Sequence, residues 1–460
     1  MDGIDGVAPK EMKFAGIAMP AGISKANFTF LFINTFLMGM FMTVPSVIQP
    51  ALMSDVVGID QSFAGSINSF LQNMSQVATL ALVAAVGALS DRLGRKRLVF
   101  AGFVMAGACY FMFGNAGAIA ARLGIPNGAA GRICAALSFM PGRAAEFAPF
   151  APGLLVSYAA RLLIGVALIL GYPQLIAMWG DYSSGKDRGK AMAMYGTGVG
   201  LAAIIVFGVF GGILRRSGVV SAIMSIVALA AVGGLVALAF QKDHMPEKTA
   251  ERHRFREILP LLRGSRALRA SYICAMVTRA DIIVLGTYLV AWGVKAASDS
   301  GMAAGTATML ATIPMMIEGG VALVAFPIIG MLTDRWGRVQ TILATVLSGG
   351  VGMCLLAFAP TPFSPVCFLA AALIGIGQAG SFAGSNALAI DASPKAMMGA
   401  VLGGVNTMQP IGVLLFLGLG GYLFDKVSPG SAFLLKGGAS LAFLAWFFVA
   451  RKPIIEEIRK

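Results

Sequence analysis

Apolar positions in this chain are grouped into twelve runs, each close to the roughly 20 residues that one helix needs to cross a bilayer. Six fall at about residues 27–51, 63–89, 97–118, 152–179, 190–214 and 218–240, and six at about 270–293, 303–331, 338–359, 365–391, 397–423 and 431–450. The runs are continuous. Barrel strands would instead alternate apolar and polar side chains in short pieces, so a barrel is excluded. The pattern predicts an all-α integral membrane protein with twelve transmembrane helices, crossings 1 to 12 in chain order.

The polar stretches between the runs carry a repeat. Gly87-Ala-Leu-Ser-Asp91-Arg92-Leu-Gly94-Arg95-Lys96-Arg97, between crossings 2 and 3, returns between crossings 8 and 9 as Gly330-Met-Leu-Thr-Asp334-Arg335-Trp-Gly337-Arg338, an offset of 243 (334 − 91). Further on, Asp181 and Gly189 match Asp391 and Gly399 at an offset of 210. The first half therefore holds about 33 extra residues (243 − 210), and 118–152 is the non-crossing stretch long enough to contain them. Two six-helix bundles related by pseudo-symmetry are expected, 27–240 and 270–450, joined by a linker at 241–269.

Lys and Arg collect in the amino tail (1–26), the 89–97 loop, Lys186 to Lys190, the linker, Arg335 to Arg338 and the carboxyl tail (451–460). These segments alternate along the chain, so the charge bias puts both termini and the linker in the cytoplasm and the 118–152 insert outside. The insert carries Arg122, Arg132 and Arg143 against that bias, which a translocated segment with its own structure tolerates. Met1 to Ala26 lacks the pattern of a signal peptide, so crossing 1 is expected to stay as an anchor, with Phe14 to Ile23 along the membrane surface.

Composition agrees with the pattern: of 460 residues 57% are hydrophobic and 12% charged, with a mean hydropathy of +0.81. The net charge of +14 lies in short loops, where it reads as topology and not as a nucleic-acid surface. Five scattered cysteines and two loop histidines, His244 and His253, indicate neither a disulfide framework nor a metal site. No cofactor is implied. No phosphate-binding loop, nucleophile elbow or His/Cys/carboxylate cluster is present, which argues against an enzyme and against nucleotide hydrolysis in this chain.

The duplicated Gly-x-x-x-Asp-Arg-x-Gly-Arg loop, the six-plus-six layout and Arg161-Leu-Leu-Ile-Gly165 in crossing 4 resemble the signature motifs of the major facilitator superfamily. That resemblance implies two bundles around one substrate site that opens alternately to either side of the membrane. It also implies that crossings 1, 4, 7 and 10 line the cavity, crossings 2, 5, 8 and 11 form the seam, and crossings 3, 6, 9 and 12 face lipid. The drug-proton antiporters of the family carry a Gly-Pro pair in crossing 5. This chain reads Gly200-Leu-Ala-Ala-Ile-Ile-Val-Phe-Gly208 there, without proline. Gly87, Asp91, Arg92, Gly94, Arg95, Asp334, Arg335, Gly337 and Arg338 form the candidate gating loops, with Asp91 placed to latch onto the amino end of crossing 11, where a carboxylate is favoured.

Ionisable residues inside a crossing are costly unless paired or used, and four are counted: Arg161, Arg279, Asp281 and Glu318. Arg279 and Glu318 lie at similar depth, near enough to meet. Arg279 and Asp281, two positions apart, point to different sides of one helix and need other partners. The four are expected either to pair structurally between crossings 4, 7 and 8 or, in the case of Asp281 or Glu318, to carry a proton. Asn34, Gln174 and Gln378 are the polar candidates on cavity helices.

These features predict a monomeric secondary transporter in the cell inner membrane, moving a small organic and anionic or amphipathic solute with protons. Proton-driven drug efflux is the rival within the class. A membrane scaffold or sensor without transport is the rival outside it.

Overall fold

The computed structural model describes residues 13–183, 187–244, 258–394 and 397–458, and the account below is of these residues. His253, Lys186 and the 245–257 stretch of the linker lie outside them.

The first half contains α1 (Lys25–Leu52), α2 (Ala64–Leu93), α3 (Arg95–Gly114), three short helices of the insert, α4 (Ala116–Arg122), α5 (Asn127–Leu137) and α6 (Ala144–Phe147), then α7 (Ala151–Asp181), α8 (Arg188–Ile205) and α9 (Gly211–Phe240). The second contains α10 (Ile258–Gly264), α11 (Arg266–Thr278), α12 (Asp281–Ser300), α13 (Ala304–Trp336), α14 (Arg338–Ala357), α15 (Pro365–Asp391), α16 (Met398–Lys426) and α17 (Pro429–Ile458).

Ten helical stretches are long and apolar enough to span a membrane. One of them, Lys190–Phe240, has 51 residues, or about 75 Å at 1.5 Å per residue, more than twice the ~30 Å hydrocarbon core. It is divided by Gly218, whose φ of 78° and ψ of 169° break the helical path, so it makes crossings 5 and 6. The 30-residue α2 completes twelve. Crossing 7 is also interrupted, between α11 and α12, which places Arg279 at the end of one half-helix and Asp281 at the start of the next. In crossing 5, where a drug antiporter would have Gly-Pro, a π-helical turn occupies Val206–Phe210.

An even number of crossings brings both chain ends to one end of the bundle, the terminal end, and leaves α4 to α6 at the other, the insert end. Inter-half hydrogen bonds are concentrated at the insert end. Asp425 near the end of α16 accepts from the Gly65 and Ser66 amides of α2, both at 2.7 Å, and Ser69 of α2 donates to Tyr288 of α12 at 2.9 Å. They continue inward as far as Asn73 Nδ2 to Leu414 O at 3.3 Å. Toward the terminal end, Val77, Val83 and Leu89 of α2 and Ile328 and Met331 of α13 are uncovered. The two halves are thus shut at the insert end and part toward the terminal end.

Part of the amino tail, expected along the membrane surface, is folded as a hairpin against α1. Lys13–Phe14 and Ile17–Ala18 pair as an antiparallel hairpin, and its two turn residues, Ala15 and Gly16, have φ of 49° and 80°, the left-handed values that a two-residue hairpin needs. Phe14 stacks on Phe28 at 5.2 Å and Ile17 is fully buried. Asp187 accepts from Ala18 N at 2.9 Å, and Lys190 Nζ donates to Gly16 O at 2.9 Å. The Ala18 amide, and after it Lys190, hold the Asp187 carboxyl below its ordinary range. Because the folded value is the lower one, the tie is fully present above the ordinary carboxylate range and is lost as pH falls through the folded value. Exchange protection of the Ala18 amide should be flat at neutral and weakly acidic pH and be lost only as pH falls below the ordinary carboxylate range. Asp187→Asn should weaken it at neutral pH; equal protection in that variant would mean that the hairpin holds itself.

Candidate substrate and coupling site

Two buried arginines, one in each half, are each surrounded by neutral acceptors. Arg161 of α7 reaches across to α1 and α2: Nε donates to Gln49 Oε1 at 3.1 Å, Nη1 to Ser75 Oγ at 2.8 Å, and Nη2 to Gln72 Oε1. Gln49 is in turn held by Asn68, with Nε2 donating to its backbone O and its Oδ1, both at 3.0 Å. Gln72 and Ser75, three apart on one face of α2, are thus spaced to meet one guanidinium. Arg279 lies at the end of α11, where a cation complements the helix dipole. It donates to Asn406 at 2.7 Å, Ser385 at 2.9 Å and Asn386 at 2.7 Å, while the Phe382 ring lies 4.4 Å away. Each contact to a charged donor contributes about 1.5–3 kcal/mol, which offsets part of the desolvation without cancelling the charge.

Glu318 is fully buried in α13, and neither of its carboxyl oxygens has a hydrogen-bond partner among the described residues. Its level is tightly packed. A Cβ added at Gly375 of α15 would come within 2.5 Å of Glu318 O. Arg279 and Glu318 do not meet as their depths had suggested, because all three Arg279 partners lie on α15 and α16.

The expected ion pairs between crossings 4, 7 and 8 are replaced by a different one. Asp281, the first residue of α12, forms an ion pair with Lys436 of α17. Lys436 is fully buried, donates to Ser440 at 3.0 Å and lies 5.2 Å from the Phe416 ring. The count of four intramembrane charges therefore omitted a fifth, and crossing 12, assigned to lipid by resemblance, turns a cation inward. The signal was available, since Lys436 stands well inside the 431–450 apolar run.

The three polar candidates separate. Asn34 is buried against crossing 6, with Nδ2 donating to Gly233 O at 3.3 Å and its oxygen accepting from Gln241 at 2.8 Å. Gln174 is buried in α7. Gln378 of α15 has a buried Oε1 without a partner.

At the terminal end the duplicated loops share one construction. Gly94 and Gly337 each join two helices with φ near +90° (88° and 90°), values that a side chain resists. A Cβ at Gly94 would also collide with the Asp243 carboxylate, whose Oδ1 accepts from the Arg95 and Lys96 amides at 2.8 and 2.9 Å and so caps α3. Arg95 pairs with Asp181 at the end of α7, and Arg338 pairs with Asp391 at the end of α15 at 2.9 Å. The two pairs obey the sequence offsets of 243 and 210. Gly87 and Gly330 stand where no added Cβ would meet a neighbour, and Arg92 and Arg335 are exposed. The side chains of Asp91 and Asp334 fall outside the description, so the proposed contact of Asp91 with crossing 11 does too.

Comparison with known proteins agrees with this architecture. The chain is 28% identical over 416 residues to the magnetosome protein MamH of Paramagnetospirillum magneticum (strain AMB-1), covering 90% of each chain. It is 24% identical over 454 residues to the magnetosome protein MamZ of Magnetospirillum gryphiswaldense (strain MSR-1), covering 95% of this chain but only 65% of MamZ. Among solved structures, a variant of the nucleoside transporter NupG superposes with a TM-score of 0.71 at 15% identity, covering 92% of this chain and 99% of that one. A POT family transporter in complex with 5-aminolevulinic acid superposes with a TM-score of 0.68 at 14% identity, covering 96% and 98%. These likenesses show the fold and direct the reading toward a transporter and away from an enzyme. The family model described as Major Facilitator Superfamily matches residues 31–322 and 271–460, and this multi-pass membrane protein belongs to that superfamily.

Proposed function

We propose that this chain is a proton-coupled secondary transporter that carries a small organic anion, or an amphipathic solute with an anionic group, by alternating access. One observation carries the reading: each bundle holds a buried guanidinium, Arg161 or Arg279, whose side-chain hydrogen bonds among the described residues go to neutral acceptors. Such charges are incompletely compensated, and an anion that reaches them relieves the cost. Glu318, buried and without a hydrogen-bond partner among the described residues, supplies a group that can take up and release the driving proton. Asn34, Gln174 and Gln378 are the candidate substrate contacts, and the unpartnered Oε1 of Gln378 keeps hydrogen-bonding capacity for one.

The proposal extends to setting and topology. The protein acts as a monomer in the cell inner membrane with both termini and the 241–269 linker cytoplasmic, and the names of its magnetosome relatives motivate a role at that structure. A cysteine at Asn127, in a chain freed of its own cysteines, should react with an impermeant reagent on intact cells. Reaction only after permeabilisation would invert the topology.

The function is tested by reconstitution in proteoliposomes with an imposed pH gradient, screened over pools of anionic, neutral and cationic solutes. Accumulation from an anionic pool that disappears when the gradient is dissipated is the expected result. Movement confined to cationic or hydrophobic drugs would favour efflux instead. Failure of every pool in folded protein would favour the scaffold.

A further inference from the structure

The seam between crossings 2 and 11 contains an acid at the wrong end of its own helix. Asp425 is the penultimate residue of α16, where the helix dipole disfavours a negative charge. Across the seam α2 begins with Phe63 as its cap, which supplies no side-chain acceptor, so the first amides of α2 need partners from elsewhere. Asp425 provides them: Oδ1 accepts from Gly65 N and Oδ2 from Ser66 N, both at 2.7 Å. The carboxylate is misplaced on α16 and well placed on α2. Both bonds are charge-assisted, and both join the two halves of the molecule.

We propose that Asp425 is the latch that keeps the insert end of the 2–11 seam shut, a residue that positions the bundles without touching solute. The packing around it is built for close approach. A Cβ at Gly65 would come within 2.7 Å of Phe424 Cβ and 2.8 Å of Asp425 Oδ1. Ser66 Oγ adds a 3.4 Å contact to Gly421 O. Lys295, with its ammonium 5.7 Å from the Phe424 ring, is the nearest cation on crossing 7 to this corner.

Crossings 2 and 11 run antiparallel, so the amino end of each lies beside the carboxyl end of the other. Asp91-Arg92 closes α2 in the same acid-then-base order in which Asp425-Lys426 closes α16. The seam therefore has an acid available at each end to cap the opposite helix. In the present state the insert end is capped, in keeping with the concentration of inter-half hydrogen bonds there.

This deepens the alternating-access reading and rests on it for the meaning of the switch, but the test requires no solute. Spin labels at Ser62 and Ser428, both exposed and three residues from Gly65 and Asp425, report the opening of that rim. In nanodiscs without solute, Asp425→Ala should populate a longer distance that the parent protein lacks, with unchanged helicity and elution. Asp425→Asn, which keeps the volume and one acceptor, should populate it partially. If the alanine variant does not fold, the asparagine variant decides, and an unchanged distance in a folded variant overturns the proposal. Gly65→Ala tests the alternative. Opening by that wedge, with no response to loss of the carboxylate, would assign closure to packing alone and reject the latch. A null transport assay would defeat the proposed function while leaving this measurement intact.

Discussion

Glu318→Gln is expected to abolish accumulation of solute against its gradient while sparing binding and the exchange of labelled for unlabelled solute. Glutamine retains the shape of the side chain and its capacity for hydrogen bonds, but it is fixed in a neutral form resembling the protonated acid. Exchange returns a loaded carrier and does not require the group to lose a proton; net accumulation returns an empty carrier and does. The burial of Glu318 and its two unpartnered oxygens make the substitution mild for folding, because no hydrogen bond is broken. Parallel uptake and counterflow measurements in proteoliposomes provide the check. If Glu318→Gln still concentrates solute with the parental pH dependence, Glu318 is structural, and Asp281 would have to be examined as the carrier.

Opening the Asp281–Lys436 pair should have the largest effect on stability. Removing one member strands the other charge in a buried site, at a cost of about 3–5 kcal/mol, a large share of the stability of a typical domain. Asp281→Asn and Lys436→Met should each lower the melting temperature in detergent sharply. The double variant should recover most of the loss, since no charge remains to strand. Additive losses in the double variant would show that the two side chains contribute separately and that their pairing is incidental.

What the sequence made legible followed from local pattern. Each crossing needs only a run of apolar residues, and each loop needs only its own glycine and charges, so the twelve helices and the duplicated Arg95 and Arg338 loops could be read directly. Partners could not. Whether Arg279 turns toward Glu318 or toward Ser385, Asn386 and Asn406 depends on helix rotation, which the low amphipathicity of these apolar runs leaves undetermined. Lys436 passed unnoticed within its run, although its place there already required a buried partner. The hairpin at Lys13–Ala18 was missed because strands of two residues are too short to display a period of two.

The ion pairs Arg95–Asp181 and Arg338–Asp391 have a mechanical consequence. Each joins two helices of the same half, so neither changes length when the halves rock against each other as bodies. The duplicated loop is then a brace as well as a candidate latch. It fixes the turn after crossing 2 to the foot of crossing 4, and the turn after crossing 8 to the foot of crossing 10. Bending that would otherwise be absorbed separately in each half is passed to the interface between them. Removing one brace should soften a single bundle and blur the boundary between the open and closed states, even with every contact across the interface left in place.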